Sequence, residues 1–401
     1  MNNWYLLAAI PVFGLLVLVH EFGHFISAKW AGIRVEEFGL GFPPSLVGFR
    51  KRDNGGWEVL WFGRGRDGEN GNTQTPFGGT SGGVSTTETA VSDHTIYSLN
   101  LLPIGGFVRM PGENGDVYNE QGRYDPQCFA AKSAGKRIIV LCAGVIMNFL
   151  LAIVLFSVAY TQGEPTFPAV IGTVEPGSPA QAAGLRPNDT ITSIDGHPIK
   201  LFQDVVTLVD QGAALVKGHQ QRFPVVLTIQ RPGVAGTLTV TVNARVNPPA
   251  NKGRMGVGGK VVFVSLPLWQ APIKGIVQTF DTTRLFIVSI EQMIVGAIHP
   301  RLMGPVGIVQ LTGEVAQSTP DLGWWPILNL TAMLSLNLAV VNILPFPALD
   351  GGRVLLILIE IVRGGKRLKP EREGIINLVG MALLLTLMVV ITVSDVLHWG
   401  S

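Results

Sequence analysis

Charge is what this chain has least of. Asp, Glu, Lys and Arg make up 14% of its 401 residues, where a soluble domain carries roughly 25%. The formal net charge of +2 is too near neutral to hold a polyanion, which excludes nucleic acid as a partner. Cysteine is nearly absent. The two present, Cys128 and Cys142, supply neither a disulfide framework nor a cysteine-built zinc site. Met1-Asn2-Asn3-Trp4 holds no Lys or Arg, so the apolar run it opens lacks the basic n-region of a signal peptide and reads as a retained helix.

Apolar surface is abundant. Hydrophobic residues are 47% of the chain and gather in four blocks near 4–27, 137–160, 326–348 and 374–394, each close to the ~20 residues that cross a ~30 Å hydrocarbon layer. A fifth stretch, 272–298, is punctuated by Lys274, Asp281, Arg284 and Glu291, the pattern of an amphipathic helix on the lipid bilayer surface. Lys29, Arg34, Arg50, Lys51 and Arg52 follow the first span; Arg363, Lys366, Arg367, Lys369 and Arg372 follow the third. Basic loops stay cytoplasmic, which puts the region 161–270 outside.

Residues 52–95 are rich in Gly, Thr, Ser and Asn and predict a flexible loop, since they carry too little apolar surface to order themselves. From Thr95, Tyr97, Leu99 and Leu101 alternate with Ser98 and Asn100, and Pro103-Ile104-Gly105-Gly106 precedes Phe107-Val108-Arg109-Met110. Two strands around a turn predict a β-hairpin near the membrane. In 166–246, strands at 170–174 and 190–194, a turn at Asp195-Gly196, a helix near 201–210 and strands near 223–230 and 236–242 predict a compact α+β domain. The run from Pro176 to Gly196 resembles a PDZ domain, a fold that takes an extended peptide or protein ligand as an added strand; a structural domain without a ligand is the alternative.

The chemistry concentrates at the end of the first span. His20-Glu21-Phe22-Gly23-His24 is an HExxH motif, and on a helix its histidines project from one face, one turn apart, where both reach a single metal. Glu21 lies beside them and can take the proton of a water whose pKa the metal has lowered to about 7. Placed in an apolar span, an acid flanked by two histidines needs a compensating partner, and a cation supplies it. Two histidines leave a catalytic zinc site one protein ligand short. Asp350, in Asn342-Ile343-Leu344-Pro345-Phe346-Pro347-Ala348-Leu349-Asp350-Gly351-Gly352 at the end of the third span, sits at the same cytoplasmic depth. Pro345 and Pro347 break the helix there, and irregular backbone is tolerated at that depth where it lines protein or a wet cavity. Asn342 either donates its amide to a scissile carbonyl or oxyanion or ties two helices together. His94, His197, His219, His299 and His398 have no partner at ligand spacing, and Gly304-Pro305 reads as a turn.

HEFGH, the PDZ-like run, Gly304-Pro305-Val306-Gly307-Ile308 and the Asn342–Gly352 run, in that order over nearly the whole chain, resemble the site-2 protease family in its bacterial RseP-like branch. The resemblance implies a zinc metalloprotease of regulated intramembrane proteolysis in the bacterial cell (inner) membrane, with Zn2+ held by His20, His24 and Asp350 and Glu21 as the catalytic base. It implies substrate contacts at Asn342 and along Gly105, Gly106, Phe107 and Val108. Single-span membrane proteins, such as anti-sigma factors or remnant signal peptides, would be the substrates. Val145 stands where the family usually shows Pro, which leaves the role of Asn148 open.

The expected fold is therefore a polytopic α-helical membrane protein of about four transmembrane helices, with a membrane-associated β-hairpin and an inserted extracytoplasmic PDZ-like α+β domain. The expected divisions are 1–30 for the first span, 31–94 for a cytoplasmic-side loop with its flexible insert, and 95–135 for the hairpin and connector. They continue with 136–162 for the second span, 163–250 for the PDZ-like domain, and 251–322 for a linker with the surface helix. The third span is 323–352, a basic cytoplasmic loop 353–373, and the fourth span with the C-terminus 374–401. A membrane-bound PDZ adaptor with a structural metal is the competing reading, and the intact Glu21 argues against it, because a structural site has no use for a base. A metal transporter would need ionisable residues distributed across the membrane, whereas here they cluster at one leaflet.

Overall fold

A computed structural model describes residues 3–52, 55–62, 94–113, 124–216, 220–249, 252–296, 303–367 and 370–397. Most of the Gly/Thr-rich insert expected at 52–95 lies outside these residues, as do His219, His299 and His398. The chain forms two compact units, one of Met1–Ala159 with Leu268–Ser401 and one of Tyr160–Pro267.

The first unit opens with a short 3-10 turn, Asn3–Ala8, and α1 (Ala9–Ala31). Gly32, at φ 72°, ends α1, its N–H bonding to the Ala28 and Lys29 carbonyls, a left-handed cap that glycine adopts without a Cβ penalty. Then come β1 (Glu37–Lys51), β2 (Trp57–Trp61) and β3 (Ile96–Arg109). β2 pairs antiparallel with the far half of β1, Trp57 opposite Lys51 and Trp61 opposite Val47, so 57–61 is strand where a flexible loop was expected. Its large apolar side chains, Trp57, Val59 and Trp61, pair across the sheet and supply the ordering that the composition of the whole insert seemed to lack.

The expected hairpin is also revised. The two halves of β3 do not pair with each other, because residues 37–40 lie between them. Glu37–Leu40 runs parallel to 96–99, Glu37 opposite Ile96, and antiparallel to 106–109, Glu37 opposite Arg109 and Leu40 opposite Gly106. β1 can serve twice because it bends at Gly41 (φ 83°) and Pro43-Pro44, residues that interrupt a ladder; its second half then lies antiparallel against 96–100. The Asn100 amide pins the bend by donating to the Gly41 carbonyl at 2.8 Å. Residues 106–109 are thus an edge with no second partner strand among the described residues. The helix α2 (Ala134–Gln162) follows.

The second unit contains β4 (Glu164–Thr166), β5 (Ile171–Val174), α3 (Pro179–Ala182), β6 (Thr190–Ile194), β7 (His197–Pro198), α4 (Phe202–Leu215), β8 (Arg222–Gln230), β9 (Leu238–Arg245), β10 (Val257–Gly259) and β11 (Val262–Val264). Four strands form a sheet in the order β7-β6-β8-β9, while β10 pairs with β5 and β11 with β4. Alternation in β8 turns Phe223, Val225, Leu227 and Ile229 inward, onto Ile171, Ile191, Ile194 and Val205. Asp195 and Gly196, at φ 47° and 83°, make the tight turn between β6 and β7. The unit extends past the expected limit at 250, since β10 and β11 come back to pair with its first strands.

Six helices complete the first unit: α5 (Ala271–Ile294), α6 (Pro305–Gln317), α7 (Thr319–Leu322), α8 (Trp325–Ile343), α9 (Asp350–Val362) and α10 (Pro370–Leu397). Gly304 and Pro305, expected as a turn, are the cap and first residue of α6, a position where proline loses no needed donor. α5, expected on the membrane surface, buries Ala271, Gly275, Thr279 and Thr282, with Gly275 against the backbone of Ile153 and Ser157 in α2. Small residues let the two backbones approach closely. The third apolar helix stops at Ile343, so Asp350 begins a new helix, and much of the expected basic loop 353–373 is α9. Among the described residues four helices are long and apolar enough to cross a membrane: Tyr5–Ala31, Ala134–Gln162, Trp325–Ile343 and Glu371–Leu397. Along α10 Ile375, Leu378, Leu383, Val390 and Val393 are exposed, a surface that lipid, not water, accommodates.

Inside the second unit, the buried Asp189 accepts two 2.8 Å bonds from Arg231 and one from the Arg186 N–H. Burial opposes its charge, but these donors outweigh it and hold the carboxyl below its usual range. A lowered folded pKa stabilises above the unfolded value of about 3.9 and is lost as pH falls through the folded one. Asp189→Asn should speed hydrogen exchange across 185–195 at neutral pH by about 30- to 100-fold, or about 2–3 kcal/mol. The difference from wild type should shrink below about pH 4; equal exchange at neutral pH would contradict this account.

Candidate metal centre

His20 and His24 lie one turn apart on α1, both buried. Their Nε2 atoms are 3.2 Å apart, and Asp350 Oδ2 stands 3.2 Å from the first and 3.3 Å from the second. Tetrahedral zinc with ligands at ~2.0–2.1 Å requires donor atoms about 3.3 Å apart, so the three atoms have the spacing of one face of such a site. The chemistry agrees. His24 Nδ1 donates to the Val140 carbonyl at 2.8 Å, which leaves the Nε2 lone pair facing the other two donors. Asp350 Oδ2 is buried without a hydrogen bond. Lone pairs and a carboxylate oxygen converging in a buried place repel unless a cation sits among them.

The surroundings explain how the three donors meet. α2 presents Val140, Gly144 and Asn148 at four-residue spacing to the histidine face of α1. A Cβ at Gly144 would stand 2.5 Å from His24 Nε2 and 2.8 Å from His20 Cε1; glycine there makes room for both rings. Gly23 closes the approach from the other side, where a Cβ would meet the Ala143 carbonyl. The loop from α8 to α9 does the same for Asp350. Leu344 is extended (φ −60°, ψ 141°), as a residue before proline must be, and the chain then doubles back so tightly that a Cβ on Gly351 or Gly352 would overlap the carbonyls of Ile343 or Phe346. Asn342, in the last turn of α8, brings its amide nitrogen to 3.2 Å from His20 Nε2.

Glu21, His20, His24 and Asp350 line a cavity of about 290 Å3 whose opposite wall is Gly106, Phe107, Val108 and Arg109 of the edge strand. A Cβ on Gly106 would lie 2.9 Å from Val17 and 3.1 Å from the Glu21 side chain, so glycine is what lets the strand pass this close to α1. Gly105, at φ 91°, begins that approach and lies next to the cavity. Glu113 and Arg353, which sequence reading did not single out, pair at the rim; nothing in their spacing, 240 residues apart, announces the contact. Gly144 was missed too, although its four-residue offset from Asn148 was a usable signal. Cys128 is buried, and burial with the nearby Asp125 pushes its thiol up to about 11, an inert group at neutral pH.

Known proteins resemble the chain over nearly its whole length. A family model described as peptidase family M50 matches residues 8–65 and 83–387. A zinc metalloprotease RasP from Oceanobacillus iheyensis is 33% identical, with 97% of this chain and 98% of the relative covered. A probable protease eep from Enterococcus faecalis is 33% identical over 96% and 97%, and a regulator of sigma-W protease RasP from Bacillus subtilis is 27% identical over 97% of each.

Filling the space between the rings should unseat the cation. Gly144→Val is expected to lower the metal bound per purified protein by about tenfold or more while helix content by circular dichroism stays unchanged. A variant that keeps full metal occupancy would show that the rings have room to spare.

Proposed function

The chain belongs to peptidase family M50 and is a zinc metalloprotease of the site-2 type, and from that premise we propose that His20, His24 and Asp350 hold the zinc, that Glu21 is the general base, and that the scissile bond lies within or near the transmembrane segment of a single-span membrane protein. The observation that carries this reading is the donor triangle of 3.2, 3.2 and 3.3 Å joining two helices that are distant in sequence. Bound zinc supplies Lewis acidity, polarising a carbonyl and bringing the pKa of a water to about 7. Glu21, adjacent in the chain to His20 and open to the same cavity, takes the proton of the attacking water and passes it to the departing amine. The Asn342 amide, beside His20 Nε2, is positioned to donate to the developing oxyanion. Gly105 to Val108 hold an extended substrate strand against the cavity, since the outer edge of 106–109 has no partner strand among the described residues.

In this reading the basic loops are cytoplasmic, the site lies near the cytoplasmic leaflet and the second unit is extracytoplasmic, supported by the four apolar helices and the basic residues that follow the first and third. That unit is PDZ-like in this reading, with two supporting features: the strand–helix–strand run at 171–194 and a groove of about 190 Å3 between α4 and Met255–Val257 that suits an added peptide strand. The name of the Bacillus subtilis relative, regulator of sigma-W protease, supports an anti-sigma factor as the substrate class.

Two substitutions separate the roles. Glu21→Gln should leave the protein folded and zinc-loaded while cleavage of a membrane-embedded reporter falls by about 10²- to 10⁴-fold; Asp350→Ala should lose both the metal and cleavage. Retained cleavage in Glu21→Gln would remove the base from the mechanism.

A further inference from the structure

We infer that Asn148 is a positioning residue for the metal centre: its side-chain oxygen accepts a hydrogen bond from His20 Nδ1–H and so fixes the ring with Nε2 toward the cation. This rests on the reading of His20 as a ligand. Asn148 is fully buried and its amide group lies 3.3 Å from His20 Nδ1. With the amide nitrogen drawn toward the ring, Oδ1 is left buried without a partner. The amide's oxygen and nitrogen are exchangeable by rotation of the group, so the hydrogen-bond network decides between them. A ring that presents the Nε2 lone pair to a metal carries its proton on Nδ1. Turning the Asn148 amide over gives that proton an acceptor; the amide nitrogen then takes the place where Oδ1 stood without a partner, and what decides the orientation is the Nδ1–H, which only an acceptor can meet.

The neighbouring ring shows the same arrangement. His24 Nδ1 is 2.8 Å from the Val140 carbonyl, so both imidazoles are fixed in one tautomer by acceptors eight residues apart on the same face of α2, with Gly144 clearing the space between. α2 is in turn tied to α8 at this level, because Ser335 Oγ donates to the Asn148 carbonyl at 2.8 Å. The helix that supplies no ligand thereby sets the direction of both ligands that α1 supplies. Partners of this kind raise ligand basicity, and their loss typically weakens metal binding by about 10- to 100-fold.

The test measures zinc affinity of the full-length protein in detergent by competition with a chromophoric chelator at about pH 8, where a carboxyl facing an imidazole N–H is ionised and can only accept. Asn148→Leu, similar in size and without an acceptor, should bind zinc about 10- to 100-fold more weakly. Asn148→Asp, which keeps the acceptor and has no amide N–H, should bind within about threefold of wild type. Cobalt-loaded Asn148→Asp should keep the absorption bands of the wild-type cobalt protein, which a merely structural role would not require. Wild-type affinity in Asn148→Leu, or an Asn148→Asp variant as weak as Asn148→Leu, overturns the inference. His20→Ala in the same assay isolates the premise: if it abolishes zinc binding while Asn148→Leu does not, the positioning role fails alone, and if it leaves zinc bound, the ligand assignment fails first.

Discussion

The arrangement of the first unit depends on one electrostatic constraint: two imidazole lone pairs and a carboxylate oxygen are brought within 3.3 Å of one another at the end of a membrane-spanning helix. Nothing in an apolar medium solvates such a cluster, and leaving it unneutralised would cost several kcal/mol. In the proposed reading a divalent cation turns that repulsion into attraction. Because the donors come from α1 and from the first residue of α9, such a cation would also link the two, and the close approaches around the site bring its donors together. Gly23 and Gly144 bring α1 and α2 together, Gly351 and Gly352 fold the α8–α9 loop onto itself, and Gly380 of α10 takes the contact with Pro347.

Irregular backbone at that depth follows from the same requirement. A continuous helix through 343–350 would carry Asp350 along the axis of α8 rather than toward α1. Pro345 and Pro347 prevent it, and the left-handed Ala348 (φ 73°) turns the chain into α9 with Asp350 in its first turn. There the N–H dipoles of the helix start favour a negative side chain, which helps keep the carboxylate ionised for coordination. Part of this irregular backbone is covered by protein, since Pro347 packs on Gly380 of α10.

The sequence made the metal chemistry legible because it is local or typed. HExxH places the two proposed ligands and the proposed base by helical spacing alone, and the proline-broken run before Asp350 marks itself as irregular in an apolar context. The β-hairpin was misread for a reason equally physical. Alternation identifies strands but is silent about partners, and residues 37–40, which insert between the two halves of β3, have to be matched across more than fifty positions of intervening chain. The strand at 57–61 was hidden by averaging: Trp57, Val59, Leu60 and Trp61 vanish among the many small polar residues of 52–95. The helix α9 was missed because its apolar residues were grouped with Arg363, Lys366, Arg367, Lys369 and Arg372 that follow them, and a segment labelled by its charge hides an apolar helix at its start.

The edge at 106–109 connects the fold to the kind of substrate the proposed protease can take. A transmembrane helix satisfies its own N–H and C=O groups within the segment, so it has nothing to offer a strand edge and shields its peptide bonds from a base. Only a segment that has given up those bonds can regain them from the edge strand. Gly106, without a Cβ, lets that strand lie against the Glu21 side chain, so in the proposed reading the place where an unwound segment would recover its hydrogen bonds is also the place where its peptide bond would meet the base. Selection in this reading falls on how readily a segment unwinds, since helix-breaking residues lower the cost of leaving the helical state by about 1 kcal/mol for glycine and about 3 for proline. Its exact apolar sequence matters less.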